Sequence, residues 1–245
     1  MFPYTWPELL ALLFAAGAAG LMRGFAGFGA ALVFTPLAST IIEPWRAVVL
    51  LVLMEAVLPL PLLPAAWRTC NKREALPFTL AAAVMVPAGS ALLVTLDPTL
   101  LRWVLSCLAL VAVVALASGW HYQGKPSSWL SAGVGAVTGF IGGTTSFFAP
   151  PLAVFWLAGQ SSGPVVRANI NIFFVAIAIV ASASYALLGV LTWLVLLKAA
   201  ILMPVFAIML YAGVRLHRVA SERSFRIVAY LVITTAAITA LPIYG

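Results

Sequence analysis

The chain has 245 residues, 64% of them hydrophobic and only 8% charged, with a formal net charge of +7. A soluble domain carries about 25% charged residues, so this composition cannot cover a water-exposed surface of this size. Apolar runs long enough to cross about 30 Å of hydrocarbon recur along the chain, and inside a bilayer only helices or closed barrels satisfy their own amides. Barrel strands alternate apolar and polar residues, whereas residues 199–211 are apolar all round and residues 170–181 are so but for Asn171. The segments are therefore expected to be helices. Most of the basic residues sit in short loops, and they form no continuous stripe. That distribution fits the cytoplasmic-loop bias of membrane proteins and excludes nucleic acid as a partner.

In chain order, the opening residues Met1 to Glu8 lack the basic leader of a cleavable signal, so the first apolar run is expected to persist in the mature protein. Helical segments are predicted at residues 8–22, 29–42, 45–66, 76–96, 99–118, 129–142, 145–159, 164–189, 191–212 and 224–243. Turn and charge signals separate them at Glu43-Pro44, residues 68–74, Asp97-Pro98, and residues 123–128, 159–164 and 215–223. Short segments flank the glycine-rich runs at residues 24–29 and 139–143. Each such pair reads either as tilted crossings or as a re-entrant hairpin. Cys70 and Cys107 lack metal-ligand or redox spacing.

An internal repeat organises these segments. Gly24-Phe25-Ala26-Gly27 matches Gly139-Phe140-Ile141-Gly142 at an offset of 139 − 24 = 115, and Pro36-Leu37-Ala38 matches Pro151-Leu152-Ala153 at the same offset. After an insertion, Arg46-Ala47 matches Arg167-Ala168 at 167 − 46 = 121. The expected architecture is an all-α polytopic membrane protein with a single transmembrane domain. Two repeats, residues 1–122 and 123–245, would each supply about five hydrophobic helical segments, including a Gly-broken hairpin.

Loop charge orients the repeats. Arg68, Lys72 and Arg73 place the loop after the third segment in the cytoplasm. Counting onward, the turn at Asp97 falls outside, the loop with His121 and Lys125 inside, residues 189–192 outside, and the basic residues 215–223 inside. Each half then has an odd number of crossings, whether or not its hairpin is re-entrant. Odd halves in series are inverted, a recurring plan of secondary transporters, and both termini are expected outside the cytoplasm.

No enzyme constellation is present. The only histidines, His121 and His217, lie in predicted cytoplasmic loops, which leaves no triad or His-based metal cluster in the membrane. The run at residues 24–29 lacks the Lys-Ser/Thr of a phosphate loop, and no cofactor is implied. The glycine runs read as helix breaks, where a restarting helix offers free N–H groups and a positive dipole end to an anion, or else as small residues that let helices pack closely. Gly27, Gly29 and Gly142 would shape these breaks, and Thr144 and Thr145 would add hydroxyl donors. Arg23 precedes the first break, while the repeat-related Arg46 and Arg167 open long helices, as forked donors for an oxyanion or as interfacial anchors. Asn169 and Asn171 add donors within one turn of Arg167, or else bond neighbouring helices. Glu55 lies nine residues after Arg46, about 14 Å along a helix, which suits a proton-coupling carboxylate or a partner for a base. Lys198 either balances substrate charge or snorkels to an interface.

The Gly-Phe-Ala-Gly-Phe-Gly run leading to Pro36, its echo Gly-Phe-Ile-Gly-Gly-Thr-Thr leading to Pro151, and Arg167-Ala168-Asn169 together resemble the TauE/SafE family. The resemblance spans essentially the whole chain and its duplication, although Thr144-Thr145 stand where many members have further glycines. It implies a multi-pass permease of the bacterial inner membrane whose cargo is sulfite or an organosulfonate. The expected activity is secondary transport by alternating access in the direction of export, with proton coupling as one option, a small anion and the bilayer as partners and a homo-oligomer compatible. An anion channel, or a transporter of small carboxylates, is the alternative.

Overall fold

A computed structural model of the chain describes residues 5–27, 29–57, 59–118, 127–152, 155–156, 162–217 and 222–243. Eleven α-helices, and no strand, occur among them: α1 (Trp6–Ala26), α2 (Ala30–Ser39), α3 (Pro44–Ala56), α4 (Leu63–Thr69), α5 (Lys72–Thr95), α6 (Pro98–Ala117), α7 (Ser128–Thr145), α8 (Ala149–Leu152), α9 (Gly163–Leu187), α10 (Trp193–His217) and α11 (Glu222–Ala240). The all-helical class read from composition holds. Five helices, α1, α5, α6, α9 and α10, are long and apolar enough to cross a membrane. His121, Lys125, Gly159 and residues 218–221 of the last basic loop lie outside the described residues.

Two expected boundaries are corrected. The segment at 45–66 is not one helix: α3 stops at Ala56, a short 3-10 turn covers Leu60–Leu62, and α4 begins at Leu63. Pro59, Pro61 and Pro64 remove three amide donors within six residues, which an α-helix cannot absorb. The second break does not fall at residues 139–143 either, because α7 runs helically to Thr145 and the chain turns at Ser146, with φ 64°. Helix α8 then covers only Ala149–Leu152 of the segment expected at 145–159.

The helices form two compact units. The first comprises Met1–Met54, Leu96–Ser118 and Thr192–Gly245. Its centre is α1 packed on α10, with α2 against α1 and α11 against both α2 and α6. Glycines make the α1–α10 approach close: a Cβ on Gly20 would strike the Phe206 carbonyl, and one on Gly24 the Leu210 carbonyl. The partners advance by four residues on both helices, so α1 and α10 run parallel. Lipid is as apolar as leucine, so tight packing between small residues, and not apolar burial, drives such pairs together. Asp97 caps α6 by accepting from the amides of Thr99 and Leu100 (2.9 and 3.1 Å). Arg102 Nε donates to the carbonyl of Ala240 (3.3 Å), placing a cation on the negative end of α11.

The second unit comprises Glu55–Thr95 and Gly119–Leu191. Here α5 packs on α7, and α9 packs on α5 and α4. Gly135, Gly139 and Gly143 of α7 abut the carbonyls of Phe78, Ala82 and Val86 of α5, again in steps of four, so this pair is parallel too. Aromatic rings fill the space beside it: Phe78 packs on Trp156 (centroids 4.6 Å apart) and on Phe155 and Phe173 (both 5.5 Å).

Candidate functional site

Each unit contains a sharp helix break, and part of the candidate set lies at these breaks: Arg23, Gly27 and Gly29 in the first unit, Gly142, Thr144 and Thr145 in the second. In the first unit α1 ends on Gly27 (φ 78°), and α2 is capped by Gly29 (φ 94°), both in the left-handed region open to glycine. No side chain caps α2, yet its first residues Ala30, Ala31 and Leu32 are buried. Its first turn therefore lies at a buried place, with the positive end of the helix dipole. Arg23 Nη1 donates to the carbonyl of Gly27 (2.7 Å), fixing a guanidinium at the bend. A cationic side chain and a bare helix start thus share one turn of chain, which is a donor arrangement suited to an anion.

In the second unit the interruption is built differently. Gly139 and Gly143 serve the contact with α5. Gly142 lies under the ring of Phe148, which a Cβ there would strike. The hydroxyl of Thr144 is within hydrogen-bond distance of the carbonyls of Phe140 (3.0 Å) and Gly89 (3.1 Å). Thr145 donates to Ile141 (2.7 Å) and accepts from the amide of Phe147 (3.1 Å). Both threonines, expected as donors to an anion, here spend their hydroxyl protons on backbone carbonyls and set the shape of the turn. Ser146 is the one non-glycine with positive φ among the described residues, a left-handed conformation that costs about 1–2 kcal/mol for an L-residue.

Asn169 is fully buried on α9, and its Oδ1 accepts from the backbone amide of Asn71 (2.9 Å), tying α9 to the start of α5. Asn171 is half-buried, and its Oδ1 has no partner among the described residues. Arg167 is exposed in the first turns of α9. Its repeat mate Arg46 makes an exposed ion pair with Glu43 (3.0 Å) and lies over the Trp45 ring (5.1 Å), the geometry of an interfacial anchor. Glu55 is half-buried one residue before the end of α3. That helix has 13 residues, about 20 Å, so Glu55 sits where the helix gives out before spanning the bilayer. Lys198 is buried in α10.

Three further residues stand out only in the folded chain. Asn71 acts through its main chain, which no side-chain pattern reveals. Thr79 and Trp156 are buried polar groups whose side-chain hydroxyl and indole N–H find no partner among the described residues. The one available signal was Trp156 itself: membrane-protein tryptophans favour the interfacial belts, and this one follows the second break inside a short apolar run.

A family model described as Sulfite exporter TauE/SafE matches residues 12–240 of the chain. No curated protein and no solved structure matches it.

Proposed function

Because the chain belongs to the TauE/SafE sulfite exporter family, we propose that it is a secondary transporter that carries sulfite or an organosulfonate out across the bacterial inner membrane. Membership itself makes it a multi-pass transport protein with a small anionic cargo. The observation that supports the finer reading is the match over residues 12–240, which takes in the breaks after α1 and α7 and most of both proposed repeats.

The interruptions support an anion as cargo. Gly27, Gly29 and Arg23 present the start of α2, while Gly142, Thr144 and Thr145 frame the second turn ahead of the donors on α9, Asn169 and Asn171. Arg46 and Arg167 would draw anions toward the membrane surface. Glu55, at the end of a helix too short to span, is the proposed proton-coupling group.

Helix direction supports the inverted arrangement. The topology from loop charge sends α1 and α10 inward and α5 and α7 outward, and each pair is parallel within its unit. The repeat offsets relate the pairs, since 24 + 115 carries Gly24 of α1 onto Gly139 of α7, and 72 + 121 carries the start of α5 onto Trp193 at the start of α10.

The test is sulfite flux in proteoliposomes, with and without an imposed proton gradient. The expected result is electrically silent or proton-linked flux that accelerates with the gradient, and Glu55→Gln should abolish that acceleration while leaving downhill flux. A large anion current indifferent to the gradient would make the protein a channel.

A further inference from the structure

Within the second unit, polar groups with no partner among the described residues lie near one set of packed rings. Asn169 is fully buried, and its Oδ1 accepts from the Asn71 main-chain amide (2.9 Å). A backbone N–H only donates, so this bond fixes the orientation of the side-chain amide and leaves Nδ2, with two hydrogens, as the free end. Nδ2 has no acceptor among the described residues. Trp156 is 2% exposed, and its Nε1–H likewise has no acceptor among them. The indole is a donor only. Thr79, 5% exposed, has an unpartnered hydroxyl.

Ring contacts bring Trp156 beside the turns of α5 and α9 that carry Thr79 and Asn169. Trp156 packs on Phe173 (6.3 Å between centroids), and Asn169 lies four residues before Phe173, one turn away on the same face of α9. Trp156 also packs on Phe78 (4.6 Å), the chain neighbour of Thr79. Buried polar groups are almost always satisfied, and leaving one bare carries its full desolvation penalty. Two of the three groups here can only donate, so what completes them must bring acceptors. A sulfur oxyanion has three acceptor oxygens, and its charge strengthens each bond.

We propose that Asn169 Nδ2 and Trp156 Nε1, with the Thr79 hydroxyl, bind the S–O⁻ head shared by sulfite and organosulfonates. The site rests on the transport reading above and gives that cargo a place inside the second unit. The surrounding rings exclude water, which makes each N–H bond to the anion stronger than it would be at a wet surface.

The experiment measures binding of sulfite, and separately of methanesulfonate, to the purified protein in detergent by calorimetry. Wild type is compared with Asn169→Asp and Trp156→Phe. An aspartate keeps an acceptor for the Asn71 amide, so the tie between α9 and α5 survives, while both donors are lost and a like charge is gained. Phenylalanine keeps a ring against Phe78 and Phe173 and removes only the N–H. Melting temperature and elution volume report folding independently. Asn169→Asp is expected to abolish binding of both anions, and Trp156→Phe to weaken it about tenfold or more, the worth of one charge-assisted bond. Should Asn169→Asp fail to fold, Trp156→Phe decides. Wild-type affinity in a folded Trp156→Phe protein overturns the site, as does wild-type affinity in a folded Asn169→Asp protein. If wild type binds neither anion, the transport reading itself falls. Weakening for sulfite alone, with methanesulfonate unaffected, overturns the shared-head assignment.

Discussion

Glycine carries two separable tasks in this chain, and single substitutions tell them apart. Gly27 needs its conformation and has space: φ is 78°, and a Cβ added there would meet nothing within 4 Å. Gly139 needs its smallness, because a Cβ there would strike the Ala82 backbone while its helical conformation suits any residue. Gly27→Ala should therefore cost about 1–2 kcal/mol, the penalty of the left-handed region. Gly139→Ala must push α7 off α5 and should exceed that, at or above the roughly 1–3 kcal/mol of overpacking. Thermal melting in one detergent ranks the two, and the reverse order would refute the division of roles. The sequence repeat made Gly24 and Gly139 equivalent, and both do lie on a neighbouring backbone. It could not say that they pack while Gly27 bends the chain, since a glycine signals permission and not its use. The two threonines posed the same difficulty: hydroxyls beside a break read as ligand donors, and only the folded chain shows them bonded to carbonyls one turn back.

Helix type and length were legible where the chain is monotonously apolar. The expected segments at 76–96, 164–189 and 224–243 coincide within a few residues with α5, α9 and α11, even though α5 contains Pro77 and Pro87. Interruption was harder to read. Three prolines at residues 59–64 follow the early end of α3, while two inside α5 do not stop it, as membrane helices tolerate proline where neighbours can satisfy the freed backbone groups. Orientation is testable at this scale. Thr69 is exposed at the end of α4, and Leu187 is 90% exposed at the end of α9. In a Cys70→Ser, Cys107→Ser background, a membrane-impermeant maleimide added to intact cells should label Leu187→Cys and leave Thr69→Cys unlabelled until the cells are permeabilised. Ready labelling of Thr69→Cys from outside would overturn the proposed topology.

At the scale of the whole molecule, each compact unit draws helices from both halves of the chain: α1 of the first half packs with α10 of the second, and α7 of the second with α5 of the first. A repeat boundary near residue 122 and the two compact units are therefore different divisions of one chain, the first a proposed duplication and the second a matter of packing. Each unit has its own interruption, and each is proposed to take part in transport. Gly27→Leu in one unit and Gly142→Leu in the other should each abolish sulfite flux in proteoliposomes, in protein that still reaches the membrane. The Gly142 variant acts by displacing the Phe148 ring. Full flux in either variant would mean that its break takes no part in transport.

The sequence by itself determined the solvent, the helical class and the family. These follow from sums over many residues: a charged fraction of 8%, long apolar runs, and ordered Gly, Pro and Arg landmarks at offsets of 115 and 121. Such sums survive local error. Only the tertiary structure decided where the second helix breaks, which helices pair, and which polar groups are already satisfied. Each of those outcomes depends on contacts between residues far apart in the chain, such as Thr144 with Gly89 or Asn169 with Asn71. A hydrogen-bond partner that distant is set by the packing of helices, and local pattern carries no record of it.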